Sequence, residues 1–418
     1  MRILWVKMGG LWPPTAGGRI RSLETLACLS RRHDVTVVTT HGPADDPDGL
    51  RRRLPDCARV ISIPFTAPRA GTVPFVRALA GSWCSRYPVD LWKWRARGVR
   101  DEVRSLVESG AVDLCVADFL VSVANVSGVG RVPLVLFEHN VEHVIWERVA
   151  SLERRPVHRA LLAIESWKVR RAERRACESA DLVIAVSEDD LGRLRRLSPR
   201  SRCVAIPTGV DTTYFQPAGS AEVPRRLVFT GSMDWFPNED AILFFADAIL
   251  PRIRAGIPDV SVSVVGRNPS PRLREVAGRA GITVTGTVDD VRPYIDEAAL
   301  YVVPLRAGGG TRLKIFEALA MGKAVVSTSV GAEGLSLTPG RDVVIADQPE
   351  AFAATVMALL RDPARRGALG RAGRDLVQRR YSWDQVTSDF EQHCQTVTRI
   401  RRETSGTSLA LAGEQSSS

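Results

Sequence analysis

The residues best suited to chemistry lie in one short stretch in the second half of this chain. They are three adjacent glycines, a threonine, two cations and a carboxylate: Gly308, Gly309, Gly310, Thr311, Arg312, Lys314 and Glu317. Adjacent glycines let the backbone approach a ligand closely, and the helix expected after them presents unpaired N–H groups to it. Arg312 and Lys314 add positive charge where a diphosphate would bind, and Glu317 is placed to accept hydrogen bonds from a sugar hydroxyl. We therefore predict a nucleoside-diphosphate site.

A second glycine-containing loop follows the first predicted strand. Gly17 and Gly18 open the first predicted helix, and Arg19 and Arg21 follow them. Two glycines at this point permit close approach of the backbone to a phosphate group. The spacing is not GxGxxG, so a nicotinamide cofactor is not supported. The loop is a second predicted ligand contact, and a tight strand–helix turn that binds nothing is the alternative interpretation.

Polar residues also follow other predicted strands, at the sheet edge where open α/β sheets bind ligands. His139 follows a strand of the first half, where it could orient a sugar hydroxyl or move a proton. Ser232 and Arg267 follow strands of the second half, and the Arg267 guanidinium could reach a phosphate or a base. Each also has a plain interpretation as part of a turn. Asn238 is expected to cap a helix, and Glu333 lies in a loop at the same edge.

Apolar runs alternate with helical segments along the whole chain. In the first half the expected strands are Arg2–Val6, Val35–Thr39, Ala58–Ile63, Leu114–Asp118, Pro133–Glu138, Leu182–Val186 and Cys203–Ile206. In the second half they are Leu227–Thr230, Val260–Val265, Ile282–Thr285, Leu300–Val303, Ala324–Ser327 and Val343–Ala346. Apolar runs bounded by Gly, Pro and Asp are typical of parallel strands buried on both faces. We predict an α/β fold with two doubly wound, Rossmann-like parallel-sheet domains facing a cleft.

The distribution of turn residues predicts the domain boundaries. Residues 1–206 form the predicted N-terminal domain and residues 207–380 the second, because a run rich in Pro, Gly, Thr and Ser begins at residue 207. A last helical segment is expected at residues 381–400. Residues 401–418 are rich in Ser, Thr and Gly and are expected to be disordered.

Cysteine usage and hydropathy indicate a cytoplasmic protein. The seven cysteines are odd in number and never spaced as CxxC, which argues against a disulfide framework or a structural zinc. The first apolar run is too short for the core of a signal peptide. The chain contains no run of about 20 apolar residues, so we expect no membrane-spanning helix.

The net charge of +10 is carried by the first half of the chain. Residues 1–205 contain 33 Lys and Arg against 23 Asp and Glu, whereas residues 206–418 contain 24 of each. The segments Arg77–Arg104 and Val157–Glu178 combine cations with aromatic residues, which suits peripheral adsorption to an anionic membrane surface. Solvated helix surfaces are the alternative. Nucleic-acid binding is not expected, because no helix-turn-helix, finger or RNP pattern accompanies the cations.

These motifs resemble the bacterial family 4 glycosyltransferases, retaining enzymes of the GT-B fold. The resemblance runs from residue 1 to about residue 400 and rests on the Gly17-Gly18 loop, on Pro207–Asp211 with Phe215 and Pro217, and on Lys314–Gly322. The chain looks like the subgroup associated with exopolysaccharide and lipid-linked glycan assembly.

The resemblance implies roles for individual residues. The second domain would bind a nucleoside-diphosphate sugar, and the last helix would cross back onto the first domain. Glu317 matches the second Glu of the family's Glu-x7-Glu motif, which holds the ribose, while Gly309 stands where the first Glu contacts the donor sugar. Ser232 stands where the family usually has Arg, so Arg312 is expected to supply that charge.

The implied reaction is metal-independent transfer of a hexosyl-type group with retention, to a glycan or lipid-linked acceptor and without a bound cofactor. His139 would contact a donor or acceptor hydroxyl, and Arg312 and Lys314 would stabilise the leaving diphosphate. Two other functions stay open. One is a catalytically silent subunit that binds nucleotide sugar or glycan, and the other is a UDP-sugar 2-epimerase, an enzyme class that shares this fold.

Overall fold

The structure of the chain, a computed structural model, describes residues 1–14, 17–126, 130–153, 155–307 and 312–415, with the backbone alone described at residue 152 and residues 405–415. The described chain divides into two units. The first is Met1–Pro207 together with the chain from Val386 onward, and the second is Thr208–Gln385.

A seven-stranded parallel sheet forms the centre of the first unit. Its strands are β1 (Arg2–Lys7), β2 (Asp34–His41), β3 (Arg59–Pro64), β4 (Leu114–Asp118), β5 (Leu134–Phe137), β6 (Leu182–Ala185) and β7 (Cys203–Ala205). Their order in the sheet is β3-β2-β1-β4-β5-β6-β7. The registers Lys7 with Asp118 and Asp118 with Phe137 align the carboxyl ends of β1, β4 and β5. Residues that follow these three strands therefore meet at one sheet edge.

Helices of the first unit cover both faces of this sheet and close two apolar clusters. The helices are α1 (Gly17–Ser30), α2 (Pro47–Arg53), α3 (Val73–Trp83), α4 (Val89–Lys93), α5 (Arg97–Glu108), α6 (Leu120–Val123), α7 (Glu142–Leu152), α8 (Pro156–Ser179) and α9 (Glu188–Leu197). Alternate residues of β1 show the two-sided burial, since Leu4 belongs to one cluster and Trp5 to the other. Ser187 caps α9 by accepting a hydrogen bond from the Asp190 amide.

The second unit repeats the plan with six parallel strands in the order β10-β9-β8-β11-β12-β13. They are β8 (Val223–Thr230), β9 (Ser261–Val265), β10 (Thr283–Val284), β11 (Ala298–Val303), β12 (Val325–Ser327) and β13 (Val344–Ile345). The helices are α10 (Phe236–Phe244), continued by a π-helical turn (Phe245–Ile249), α11 (Leu250–Gly256), α12 (Pro271–Arg279), α13 (Arg292–Asp296), α14 (Leu313–Ala320), α15 (Pro349–Arg361) and α16 (Pro363–Arg380). The predicted α/β fold with two Rossmann-like parallel sheets is confirmed.

A long last helix, α17 (Trp383–Gln415), packs on the first unit. Its Phe390 ring packs against both Trp5 and Phe137, with ring centroids 5.7 and 5.3 Å away. Val386 and Val397 join the same apolar cluster. The helix continues past residue 400, where the sequence places the start of a disordered tail. Among the described helices, none combines the length and hydropathy that crossing a bilayer requires.

Candidate functional site

The aligned ends of β1, β4 and β5 bring together a group that we call the His139 site: Lys7, Asp118, Phe119 and His139. The Nε2 of His139 lies 2.7 Å from Oδ1 of Asp118, and the ammonium of Lys7 lies 3.4 Å from the same oxygen. The indole N–H of Trp5 donates to the other carboxylate oxygen at 2.9 Å. Asp118 is therefore fully buried but surrounded by donors.

Burial and ion pairing set the charges in this site. Burial lowers the pKa of His139 to about 3, although Asp118 opposes the shift. Burial also lowers the pKa of Lys7 to about 8, again against the attraction of Asp118. Burial alone would raise the pKa of Asp118, but Lys7 and His139 hold it at about 2. At neutral pH the site therefore contains a carboxylate, a neutral imidazole and a largely protonated lysine.

The charge state fixes what His139 can do. A carboxylate only accepts hydrogen bonds, so Nε2 of the neutral ring carries the hydrogen and Nδ1 carries a lone pair. Within the described part of the chain, the buried Nδ1 atom has no hydrogen-bond partner. A ring with so low a pKa is a weak base but a good hydrogen-bond acceptor. His139 is thus suited to orienting a ligand hydroxyl through Nδ1.

Phe119 and Gly18 fix the position of the imidazole. The Phe119 ring stacks on His139 with centroids 3.9 Å apart and planes 3° from parallel, and the Lys7 ammonium lies 3.4 Å from the Phe119 centroid on a cation–π contact. Phe119 adopts φ +71°, a costly conformation for a residue with a side chain. A Cβ at Gly18 would lie 2.6 Å from Cζ of Phe119 and 3.6 Å from Nδ1 of His139. Only glycine leaves this stack and the Nδ1 lone pair undisturbed.

The glycine-containing loop and the two arginines after it were also predicted to contact a ligand. Gly17 and Gly18 begin α1, and no described atom would contact a Cβ at Gly17 within 4 Å. Arg19 donates to the carboxylate of Asp45 at 2.9 Å. Arg21 is not available to a phosphate as the sequence suggests, because its buried guanidinium donates to the carbonyls of Glu138 and Ile206 at 2.8 and 2.6 Å.

In the second unit, the end of β8 and the start of α14 form a second group, the Lys314 site: Gly231, Asn238, Lys314 and Glu317. The Lys314 ammonium donates to Oδ1 of Asn238 at 2.7 Å and lies 4.1 Å from the ring centroid of Phe229. A Cβ at Gly231 would lie 2.8 Å from both Lys314 Nζ and Asn238 Nδ2. Gly231 therefore makes room for the lysine–asparagine pair. Asn238 is not a helix cap, since α10 begins two residues earlier and Trp235 occupies the cap position.

Lys314 and Glu317 lie three residues apart on α14, on the same side of the helix. Burial lowers the pKa of Lys314 to about 7, with Glu317 opposing the shift and Arg312 adding to it. Burial raises the pKa of Glu317 to about 7, with Lys314 opposing. The Glu317 side chain is half-buried, and Lys314 is the charged group that acts on its carboxylate. Lys314 and Glu317 thus lie next to each other and both change protonation state near neutral pH, as is common at functional sites.

Ser232 and Arg267 are brought together at the ends of β8 and β9. The Arg267 Nε donates to the Ser232 hydroxyl at 2.7 Å, and that hydroxyl donates to Asp234 at 2.5 Å. The Asn238 amide donates to the Ser232 carbonyl at 2.8 Å, which joins this pair to the Lys314 site. Arg267 is exposed, so its guanidinium can reach a ligand.

Arg312 lies just before α14 and is buried. One of its terminal nitrogens donates to the Val330 carbonyl at 3.1 Å and lies 3.9 Å from the Glu333 carboxylate. Burial lowers its pKa from the usual arginine value. Gly309, Gly310 and Thr311, which the sequence assigns to the donor site, lie outside the described residues. In the described ranges no set of three or more His, Cys, Asp or Glu side chains is arranged to hold a metal ion.

Sequence reasoning missed Lys7, Asp118 and Phe119. Lys7 and Asp118 are charged residues that end apolar runs, and this signal could have identified both. Their meeting depends on β1 pairing with β4, two strands that are not consecutive in the chain. Phe119 carries no recognisable sequence signal, because its role comes from a backbone conformation.

Comparisons with known proteins match both halves of the chain to glycosyltransferase family models. A family model described as "Glycosyltransferase Family 4" matches residues 16–214, and one described as "Glycosyl transferases group 1" matches residues 224–362. The phosphatidyl-myo-inositol mannosyltransferase of Mycolicibacterium smegmatis is 33% identical over 227 residues, which span 51% of this chain and 57% of that protein's length.

Solved structures share the fold across nearly the whole chain. Sucrose-phosphate synthase from Thermosynechococcus elongatus superposes with a TM-score of 0.67 at 19% identity, covering 96% of this chain and 100% of that one. Anabaena HepE in complex with UDP superposes with a TM-score of 0.65 at 14% identity, covering 95% of this chain and 100% of that one. Both are similar in fold.

Proposed function

This chain belongs to the family 4 glycosyltransferases, and we propose that it transfers a sugar from a nucleoside-diphosphate sugar to a glycan or lipid-linked acceptor. The observation that carries the proposal is the Lys314 site. The lysine held by Asn238 offers a cation, the Glu317 carboxylate offers a hydrogen-bond acceptor, and the start of α14 offers helix N–H groups. Cations and N–H groups suit a diphosphate, and a carboxylate suits ribose hydroxyls.

In the proposed reaction, the Lys314 ammonium and the Arg312 guanidinium stabilise charge that develops on the departing diphosphate. Glu317 accepts hydrogen bonds from the ribose hydroxyls. These cations supply the stabilisation without a metal ion, and the transfer proceeds with retention at the anomeric carbon. His139 accepts a hydrogen bond from a sugar hydroxyl at Nδ1 and so orients the reacting group.

Arg267 and Ser232 are the proposed additional donor contacts in the second unit. Gly17 and Gly18 supply backbone N–H groups to a phosphate of the donor. Arg19 is adjacent to them, and its guanidinium donates a hydrogen bond to the Asp45 carboxylate. Gly309, Gly310 and Thr311 stay in the proposed donor site on sequence grounds alone.

The comparisons support two proposals about substrates. The Anabaena HepE structure holds UDP, and the Mycolicibacterium smegmatis relative described above is named for a phosphatidyl-myo-inositol substrate. A second relative from the same organism, 25% identical over 295 residues, is named as a GDP-mannose-dependent mannosyltransferase. We accordingly propose a uridine or guanosine diphosphate sugar as donor and an acceptor with a lipid anchor, used in the synthesis of exopolysaccharide or another cell-surface glycan.

A lipid-linked acceptor requires contact with a membrane, and exposed side chains of the first unit suit that role. Trp83 and Trp167 are each 58% exposed and Ile164 is 53% exposed. Of the other aromatics in the basic segment Arg77–Arg104, Tyr87 and Trp94 instead pack against the core. We propose peripheral association with the inner face of the plasma membrane through this surface.

Calorimetric titration of the full chain with UDP, GDP and ADP tests the donor site. We expect one nucleotide to bind selectively, and Lys314→Met and Glu317→Gln each to weaken it by about tenfold or more, the effect of losing one charge-assisted hydrogen bond. Lys323→Met is the matched control, because Lys323 donates to the Asp296 carbonyl and takes no part in the site. A folded protein that binds none of the three nucleotides would contradict the proposal.

A further inference from the structure

A pocket of about 500 Å³ lies in the first unit, at the opposite edge of the sheet from the His139 site. Its lining includes Leu134, the first residue of β5, and Asp181, which directly precedes β6. His139 follows the other end of β5. At about 3.3 Å per residue, Leu134 and His139 are about 16 Å apart. The pocket is therefore separate from the site that the proposed transfer uses.

The floor of the pocket is apolar. Leu91, Val126, Leu134, Ala172 and Ala176 line it, and all five are buried members of one core cluster. A pocket of this size is in the range that holds a ligand of tens of atoms. Apolar walls of this kind favour a hydrocarbon chain, because burying it removes apolar surface from water.

Cations lie at the rim of the pocket. Arg86 is exposed and Arg175 is half-buried, and in the described ranges neither lies within ion-pairing distance of a carboxylate. Arg401, by contrast, is held by Asp181 at 3.5 Å and by the Gly130 carbonyl at 3.0 Å. Two guanidinium groups without a carboxylate, beside an apolar chamber, match a ligand that has an anionic head and an apolar tail.

A stripe of α8 that is exposed except at the half-buried Arg175 leads to this rim. Ile164, Trp167, Arg171 and Arg175 are spaced by three, four and four residues, which places them on one helix face, and we call them the α8 band. The Arg171 guanidinium lies 5.5 Å from the centre of the Trp167 ring. Exposed tryptophan beside arginine is typical of residues at a lipid–water interface.

We propose that this pocket binds one acyl chain of an anionic phospholipid and that Arg86 and Arg175 bind its phosphate. The α8 band places the pocket rim at the membrane surface, so the lipid enters from the bilayer. Because the bound phosphate lies on the opposite sheet edge from His139, this lipid is an anchor and not the acceptor. The inference goes beyond the proposed function and does not depend on it.

Soluble short-chain lipids test the proposal by calorimetry on the full chain. Dioctanoyl-phosphatidylglycerol should bind, whereas dioctanoyl-phosphatidylcholine, which has the same chains without net charge, should bind at least about tenfold more weakly. Glycerol phosphate, which has no chains, should show no binding. Equal binding of the two lipids, or binding of glycerol phosphate as strong as that of the anionic lipid, would overturn the proposal.

Neighbouring arginines of α8 provide a matched pair of variants. Arg175→Gln should weaken binding of the anionic lipid at least about tenfold, and Arg174→Gln should leave it unchanged, because Arg174 is exposed and paired with Glu178 at 2.8 Å. Equal effects of the two substitutions would show nonspecific charge attraction and refute the site.

A variant that fills the pocket separates chain binding from surface adsorption. Val123 lines the pocket and is half-buried, so Val123→Phe places a ring in the chamber. This variant should lose the short-chain lipid yet keep salt-dependent adsorption to phosphatidylglycerol vesicles. Unchanged short-chain binding would refute the pocket as the site. If Val123→Phe fails to fold, the surface variant Arg175→Gln still tests whether the pocket binds the lipid. Nucleotide binding retained by either variant shows that the loss of lipid binding does not come from damage to the donor site.

Discussion

Nucleotide affinity is expected to fall steeply as pH rises above 7, because Lys314 must be protonated to bind a diphosphate. Burial lowers the pKa of its ammonium to about 7 in the free protein. A bound diphosphate restores a high pKa by placing negative charge beside the amine. The neutral amine of the free protein must therefore take up a proton on binding, and affinity falls as pH rises through the free-protein pKa.

The size of the effect follows from that pKa. One pH unit above it about nine tenths of the free lysine is neutral, and two units above it about 99% is neutral. Affinity should drop about ninefold between pH 8 and pH 9, or about 1.3 kcal/mol, with uptake of about 0.9 proton at pH 8. The phosphates do not contribute in this range, since the second phosphate pKa is about 6.

Calorimetry in two buffers of different ionisation enthalpy measures both the affinity and the proton uptake. Lys314→Arg is the control, because a guanidinium stays charged, so the ninefold loss of affinity between pH 8 and pH 9 should disappear. A wild-type affinity that is flat over this range, or an arginine variant with the same slope as the wild type, would refute the role of Lys314.

Three further substitutions test the geometry of the two sites. Gly231→Ala should weaken nucleotide binding about tenfold or more, because the added Cβ pushes the lysine–asparagine pair aside. Gly278→Ala is the control: a Cβ there meets no described atom within 4 Å, so the calorimetric nucleotide affinity should not change. Gly18→Ala should lower the free energy of unfolding by about 1–3 kcal/mol through its clash with the stacked phenylalanine, and equal melting curves for Gly18→Ala and Gly17→Ala would contradict that clash. His139→Ala should keep nucleotide affinity while turnover falls about 100-fold, and nitrogen NMR of the wild type at pH 6 should show a neutral ring with hydrogen on Nε2.

The strands could be predicted well from the sequence, because buried parallel strands appear as continuous apolar runs. The run Leu114–Asp118 became β4 with the same bounds. The run Ile282–Thr285 shortened to the two residues of β10, which lies at the edge of its sheet and pairs with β9 alone. Edge pairing depends on the neighbouring strand, which the local sequence does not describe.

The start of α10 was less predictable. Asn238 is a favourable cap by residue type, yet Pro237 fits the first turn of a helix and the helix begins at Phe236. Asn238 consequently lies inside the helix, where its side chain bridges the Ser232 carbonyl and Lys314. The preference of proline for the first turn of a helix outweighed the preference of asparagine for the cap, so Asn238 lies inside α10 and is part of the Lys314 site.

Within the sites, sequence reasoning found the residues that stand in motifs and missed those that depend on three-dimensional pairing. Lys314 and Glu317 follow from the local order of residues on one helix. His139 follows from its place after a strand, but its tautomer comes from the hydrogen bond with Asp118, 21 residues earlier, and its neutral charge comes from burial. The strand order that joins Asp118 to Lys7 is a property of the sheet and has no local signature.

The measurement that tests the central claim most directly is release of nucleoside diphosphate by the purified full chain. UDP-glucose and GDP-mannose serve as donors, with phosphatidylinositol in mixed micelles as the acceptor probe and Lys314→Met as the inactive control. We predict that one donor yields its nucleoside diphosphate only when the acceptor is present, together with a glycosylated lipid. Tight nucleotide-sugar binding with no release would indicate a silent binding subunit, and conversion of the donor sugar without any acceptor would indicate an epimerase; either result would contradict the transferase proposal.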